Sequence, residues 1–219
     1  MKSTITKITL ATLATAMAIA VVSGCSSGTY QKGSSTASSI QKASAGIAAT
    51  RSQVARVLTA LNDLIAKPGA DLKPQYKEFS SEVSKLQSDA RNVSEMAAQM
   101  EKRGAAYFEQ WDKDIASIQN EQIKSRSASR RTEVAGHLDA LQKAYSAAKA
   151  TFEPFMGDIR DVQKALGADL TPGGIDSIKD FKRKASLDAI PLQDALTKLA
   201  NEFSALGVAM SASAPQPKK

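Results

Sequence analysis

The feature that most constrains this chain is a run of apolar residues spaced alternately four and three positions apart. The run is unbroken in the third quarter of the sequence, at Val134, Leu138, Leu141, Tyr145, Ala148, Phe152, Phe155, Ile159, Val162 and Leu166. Alternating steps of four and three average 3.5 residues, so one apolar stripe of an α-helix keeps facing a partner helix along its whole length. The pattern predicts long helices that pack side by side.

Three other segments carry the same alternation, with a few polar interruptions. Together the four segments predict helices over about 40–66, 74–123, 131–166 and 175–210. No stretch alternates with period two beside turn residues, so we expect no strands. The predicted fold class is all-α, an elongated antiparallel helical bundle or coiled coil of three to four long helices, with the bundle domain over residues 40–210.

Breaks between the helices follow from proline, glycine and polar clusters. Pro68-Gly69 ends the first helix, and a Thr-Pro-Gly-Gly turn at residues 171–174 separates the third from the fourth. The weakest break is residues 124–130, KSRSASR, where the apolar phase is lost; this predicts a hairpin tip, and a continuous helix is the alternative. We expect a kink at Pro154, and either a kink or a short break at Pro191.

Helix lengths predict how the segments lie beside one another. The second helix is nearly twice as long as the first, so Ile40 should lie beside the middle of the second helix, near Met100. Aromatic residues such as Trp111 should fill the section where three helices meet. Small residues, Ala90 and Ala97, should leave room where four helices meet, because protein interiors are densely packed.

The N-terminus has the three parts of a secretory signal peptide over residues 1–24: a short basic region, an apolar run and small residues. Val22-Ser23-Gly24-Cys25 resembles the lipobox of bacterial lipoproteins. The resemblance implies cleavage before Cys25, acylation of Cys25 and anchoring in the membrane; Ser26 implies sorting to the outer membrane, on its periplasmic face. The alternative is an uncleaved transmembrane helix, for which the apolar run is short.

Two low-complexity segments flank the predicted bundle. Residues 25–39 are rich in serine, glycine and threonine, which predicts a flexible tether. Residues 211–219 contain proline, serine and lysine, which predicts a disordered tail.

The chain is basic, with a formal net charge of +7. Because an exported protein rarely meets nucleic acid, we expect no nucleic-acid partner; an anionic lipid, a glycan phosphate or an acidic envelope protein fits the charge better. Four basic side chains cluster around the predicted tip, Lys124, Arg126, Arg130 and Arg131. They form a candidate site for an anionic surface or partner, and the alternative is a solvated basic loop.

Few residues offer catalytic chemistry. The single histidine is His137, the single cysteine is the predicted lipid attachment site, and no motif for a nucleophilic serine, a dinuclear metal centre or a phosphate-binding loop occurs. We therefore expect no enzymatic activity, no metal and no cofactor.

Several stretches resemble an uncharacterised family of bacterial envelope proteins, known as a domain of unknown function. They are EQWDKDIASIQNEQIKSRSASRR, FEPFMGDIRDVQKAL and IDSIKD, beginning at Glu109, Phe152 and Ile175. The shared features are Trp111, the Ser/Arg-rich stretch to Arg131, Pro154 and the pair Arg160-Asp161. The resemblance covers about residues 40–205 and implies a long-helix fold; no activity can be carried over from it.

These observations lead to an expected function of a non-enzymatic, lipid-anchored envelope protein. It would act as a helical scaffold, spacer or adaptor that binds a protein or an anionic envelope partner. One alternative is an envelope hydrolase or hydrolase activator, which predicts a pocket with perturbed carboxylates. Another is a carrier of an apolar ligand between helices, which predicts a void along the aromatic section. The pattern leaves the oligomeric state open.

Overall fold

The computed structural model describes residues 27–66 and 71–211, with side chains from Ser39 onward. It contains α1 (Ser27–Ala66), α2 (Lys73–Ala116), α3 (Glu121–Ala168), α4 (Pro172–Ser177) and α5 (Lys179–Met210). The predictions of a signal peptide, of acylation at Cys25, of the Pro68-Gly69 break and of the tail beyond Ser211 lie outside the described residues.

The four long helices form one antiparallel bundle. Helix α1 packs against α2 and α5, and α3 packs against α5 and α2, so that each long helix has two neighbours. Among these pairs α2 and α3 touch least. The described residues contain no strand, and the predicted all-α bundle is confirmed.

The core lies where the apolar alternation predicts it. Val134, Leu141, Phe155 and Ile159 on α3 are at most 4% exposed, and α5 buries Phe203 completely. Most other buried apolar side chains also lie on the predicted seams, but on α1 the buried Val57 and Leu64 each precede by one residue the position that the alternation predicts. A helical stripe is a local property of the sequence, which is why the alternation identifies it.

Helix α1 begins at Ser27, not at Ile40 as predicted, so residues 27–39 are helical and not a flexible tether. Extending an existing helix adds one hydrogen bond for each residue that is ordered, whereas starting one is costly. No proline interrupts residues 26–40. A serine-rich stretch can therefore continue a helix that the buried Ile40 and Ile47 hold in place.

The turn between α2 and α3 lies at residues 117–120, and the predicted hairpin tip at 124–130 is wrong. Helix α3 runs through residues 124–130 without interruption. The turn is set by Asn120, whose side-chain oxygen accepts hydrogen bonds from the backbone N–H groups of Gln122 and Ile123 at 3.0 and 3.1 Å. An asparagine N-cap satisfies N–H groups that would otherwise lack partners at the helix start.

The predicted break after α3 is present, and it contains the short helix α4. Thr171 caps the short helix α4 by accepting a hydrogen bond from the N–H of Gly174 at 3.2 Å, and Pro172 takes the first helical position. Both Pro154 and Pro191 lie inside continuous helices, so α5 has no break at Pro191.

The predicted register between α1 and α2 agrees with the structure. Ser39, next to Ile40, lies 3.5 Å from the Arg103 guanidinium; Arg103 follows Met100 by less than one turn. Four helices meet around Ala90 and Ala97 as expected. These two alanines, however, face cavities that are open to solvent and not a neighbouring helix.

Candidate functional site

The four basic residues of the predicted tip lie on the first turns of α3. Lys124 pairs with Glu121 at 3.5 Å, and Arg130 pairs with Glu133 at 2.5 Å. Arg130 also donates to the backbone carbonyl of Ala209, at the end of α5, at 2.6 Å. The Arg130 guanidinium holds the pKa of Glu133 below its usual value, mainly through their hydrogen bond.

Arg131 is built into the contact between α2 and α3. It donates two hydrogen bonds of 2.9 Å to the Asp112 carboxylate, and its guanidinium lies 4.7 Å from the centre of the Phe108 ring. This combination of a bidentate ion pair and a cation–π contact suits the planar guanidinium. Among the four basic residues, only Arg126 has no ion pair or hydrogen bond with the described part of the chain. Binding of an anionic surface at this cluster stays a prediction.

Trp111 packs in the same contact between α2 and α3 as Arg131. Its ring meets Tyr107 edge-on, with centroids 5.4 Å apart, and stacks on Phe108 at 6.4 Å. The indole N–H donates to the Ser127 hydroxyl on α3 at 3.2 Å. The aromatic residues predicted to fill this section therefore close it and leave little space.

A polar cluster between α1 and α2 was not predicted from the sequence. Gln53 and Glu82 are 1% and 5% exposed, and the Gln53 amide donates to the Glu82 carboxylate at 2.6 Å. Lys85 and Arg56 pair with the same carboxylate. Hydrogen bonds from Lys85 and then Gln53 lower the pKa of Glu82. The only sequence signal was the position of each residue directly before a seam residue, Val54 or Val83.

A groove between α2 and α3 is another candidate site. We define the α2–α3 groove by two cavities, of about 450 and 400 Å³, that share Ser94 and Tyr145 in their walls. Ala90 and Ala97 of α2 face Tyr145 and Phe152 of α3 across it. The groove lies where small residues on α2 leave the larger α3 side chains only half-buried.

Closer contacts limit the groove at both ends. Toward the 117–120 turn, Gly104 lets Leu138 approach so closely that a Cβ atom at position 104 would lie 2.7 Å from it. Toward the other end, the Tyr76 hydroxyl donates to the Gln163 carbonyl at 3.0 Å. The groove is thus a local separation of two helices that are joined on either side of it.

The described residues were also searched for a metal site and for a membrane-spanning helix. His137 is half-buried on α3, and within residues 27–66 and 71–211 no three His, Cys, Asp or Glu side chains are grouped so as to hold a metal ion. None of the helices in that part of the chain combines the length and the apolar composition that a membrane span requires.

Comparison with known families identifies the class of this protein. Residues 26–206 match the family described as "Protein of unknown function (DUF2959)". Since the match spans most of the chain, the protein belongs to this family, as the resemblance of its α2–α3 and α4 stretches indicated. Neither the curated proteins nor the solved structures include a significant match.

Proposed function

We propose that the protein is a non-enzymatic, lipid-anchored rod of the bacterial envelope that acts as a scaffold, spacer or adaptor for an envelope protein. The observation that carries the proposal is the helical start of α1. Ser27 follows the predicted acylation site, Cys25, by two residues, so a lipid on Cys25 would be joined to the rod almost directly.

Helix lengths support a spacer role. Helix α3 has 48 residues, which corresponds to about 72 Å at 1.5 Å per residue. Because α1 and α2 are antiparallel and Ser39 lies beside Arg103, the start of α1 is level with the end of α2. The 117–120 turn would then face the membrane, and α4 would lie at the far end of the rod.

An exposed apolar patch on α5 favours the adaptor role. Leu187 and Ile190, one turn apart, are 61% and 59% exposed. Single apolar side chains at a surface are common, but neighbouring ones indicate a contact face. The patch lies on α5, whose start is at the end of the rod that would point away from the membrane.

Anchoring and partner binding can be tested separately in cells. Cys25→Ser should abolish labelling by an alkynyl fatty acid; persistent labelling of this variant would overturn the anchor. A photo-crosslinking residue at Leu187 or at Ile190 should capture the same envelope protein, whereas one at exposed Lys77 on α2 should not. Adducts with lipid alone would contradict the adaptor role.

A further inference from the structure

The α2–α3 groove is a deep feature and not a shallow seam. Its larger cavity reaches between α2 and α3 to Thr50 of α1 and to Leu196 and Leu199 of α5. A volume of about 450 Å³ lies within the usual range for small-molecule sites, roughly 300–1,000 Å³. All four long helices therefore contribute to the lining of one cavity.

The floor of this cavity is apolar. Val93, Ala148 and Leu196 are 7%, 4% and 4% exposed, and Leu199 is fully buried. The one hydroxyl group on the floor belongs to Thr50 and donates to the Gly46 carbonyl in its own helix at 3.0 Å. A ligand that fills this space gains contact with hydrocarbon groups and with the half-buried ring of Phe152.

The rim of the cavity is basic. Arg91 on α2 and Lys149 and Arg160 on α3 line the opening, with Glu153 as the acidic side chain among them. Lys149 and Glu153 pair with each other at 3.6 Å. The guanidinium groups of Arg91 and Arg160 make no ion pair or hydrogen bond with the part of the chain that the structure describes. The rim therefore carries two positive charges that an anion can neutralise.

An apolar floor under a basic rim is complementary to an anionic amphiphile, which has an apolar chain and a negatively charged head group. We propose that the α2–α3 groove binds one long-chain fatty acid, with the acyl chain on the floor beside Phe152 and Leu199 and the carboxylate at the guanidinium groups of Arg91 and Arg160. This function goes beyond the scaffold role, because a rod needs no internal ligand.

The groove is better suited to a flexible chain than to a helix. The Tyr145 hydroxyl on α3 donates to the Ser94 hydroxyl on α2 at 3.1 Å, and this hydrogen bond crosses the opening between the two cavities. A helix is about 10–12 Å wide with its side chains and would have to break this crossing to lie along the groove. An acyl chain can occupy the larger cavity on one side of it.

Ligand binding can be measured on the full chain carrying Cys25→Ser, so that no protein-bound acyl chain competes. The probe is the fluorescent fatty acid cis-parinaric acid, displaced by palmitate or by hexadecanol, which has the same chain length without the charge. We expect saturable binding at one site per chain. Palmitate should displace the probe at least tenfold more effectively than hexadecanol does.

Matched variants connect the binding to the groove. Ala90→Leu should weaken palmitate binding at least tenfold by filling the cavity, whereas Ala105→Leu, on an exposed face of the same helix, should leave it unchanged. Arg91→Gln combined with Arg160→Gln should remove the preference for palmitate over hexadecanol. Because Arg91 and Arg160 are exposed, the double variant should fold. It therefore still tests the proposal if Ala90→Leu fails to fold.

Several results would overturn the proposal. They are absence of saturable binding, equal displacement by palmitate and hexadecanol, and wild-type binding by Ala90→Leu. A further one is dimerisation in analytical ultracentrifugation that Ala90→Leu abolishes while fatty acid does not bind, since the groove would then be covered by a second copy of the chain.

Discussion

Gly174 occupies a position where a methyl group has no room. A Cβ atom there would lie 2.0 Å from the backbone oxygen of Asp169, while the Gly174 N–H must stay close to Thr171 to complete the cap of α4. Gly174→Ala should lower the free energy of unfolding by about 1–3 kcal/mol, the usual cost of overpacking. Thermal unfolding followed by circular dichroism should show a melting temperature lower by several degrees.

Gly173 offers the matched control for this substitution. A Cβ atom at position 173 would meet only the Thr171 hydroxyl, at an ordinary contact distance of 3.7 Å. Gly173→Ala should therefore leave the melting temperature nearly unchanged. Equal effects of the two substitutions would show that the close approach at Gly174 is not what limits this turn.

Glu82 should make stability depend on pH. Its pKa is lower in the folded state than the ordinary 4.5, chiefly because of the hydrogen bonds from Lys85 and Gln53. A carboxylate with a lowered folded pKa stabilises the protein above its unfolded pKa, and this contribution is lost as the pH falls below about 4.5. Glu82→Gln should lower the free energy of unfolding at neutral pH by roughly 1 kcal/mol.

The same variant should also lose less stability on acidification than the wild type does, as measured by urea unfolding at neutral and at acid pH. Glu133→Gln is the control, because the pKa of Glu133 is also lowered but this side chain is exposed and pairs with Arg130 within one helix. If Glu133→Gln and Glu82→Gln flattened the pH dependence equally, burial of Glu82 would have no special role.

At the scale of the helices, the position of the α2–α3 turn depends on Asn120. Asn120→Ala removes the side-chain oxygen that caps α3 and should cost about 1 kcal/mol. The backbone N–H groups of Gln122 and Ile123 should exchange with solvent faster than in the wild type, because they lose their acceptor.

Gln119→Ala in the same turn is the control for the cap. The Gln119 side chain is exposed, and its amide makes only a long hydrogen bond of 3.4 Å to the Ser117 carbonyl. Exchange at Gln122 and Ile123 should stay at the wild-type rate in this variant. Faster exchange in both variants would indicate general fraying of the turn.

This turn also shows which helix ends can be predicted from sequence. Asn120 followed by Glu121 is a recognisable helix start, yet the apolar positions Ile115 and Ile118 carry the seam pattern up to it. The helix start at Asn120 indicated the position of the turn correctly, whereas the loss of the apolar pattern at 124–130 did not. Residues 124–130 remain helical because contacts such as Trp111 with Ser127 and Arg131 with Asp112 hold this stretch against α2.

The start of α1 is a second element that the sequence alone did not predict correctly. A serine- and glycine-rich composition is typical of linkers, and the composition of one segment takes no account of the neighbouring residues in the chain. Helical structure continues from Ile40 back to Ser27 because the packed part of α1 has already formed the nucleus.

At the scale of the whole molecule, the chain should be elongated in solution. The 48 residues of α3 correspond to about 72 Å. A compact sphere with the radius of gyration expected for 219 residues, about 17 Å, would be only about 44 Å across. Small-angle X-ray scattering of the Cys25→Ser chain should give a maximum dimension of at least about 70 Å. A profile typical of a compact sphere would contradict an elongated bundle.

The candidate sites differ in how far they could be predicted. The basic residues were visible as a charge cluster, but the pairing of Arg131 with Asp112 on α2 became evident only from packing. The pairing of Arg130 with Glu133 depends on residues 124–130 being helical, because the two lie one turn apart on α3. The α2–α3 groove was anticipated only as a void that an apolar carrier would need, and it was expected along the aromatic section. Trp111 and its neighbours fill that section, and the open space lies beside Ala90 and Ala97.

The sequence by itself determined the all-α class, the four long helices and most buried positions, because a 3.5-residue apolar period acts within a single helix. Only the tertiary structure decided which seam positions are covered. Tyr145 and Phe152 have the same spacing as fully buried residues of α3, yet they stay half-buried because α2 presents Ala90 and Ala97 opposite them. The distance between two helices depends on side chains from all four, and no local pattern contains that information.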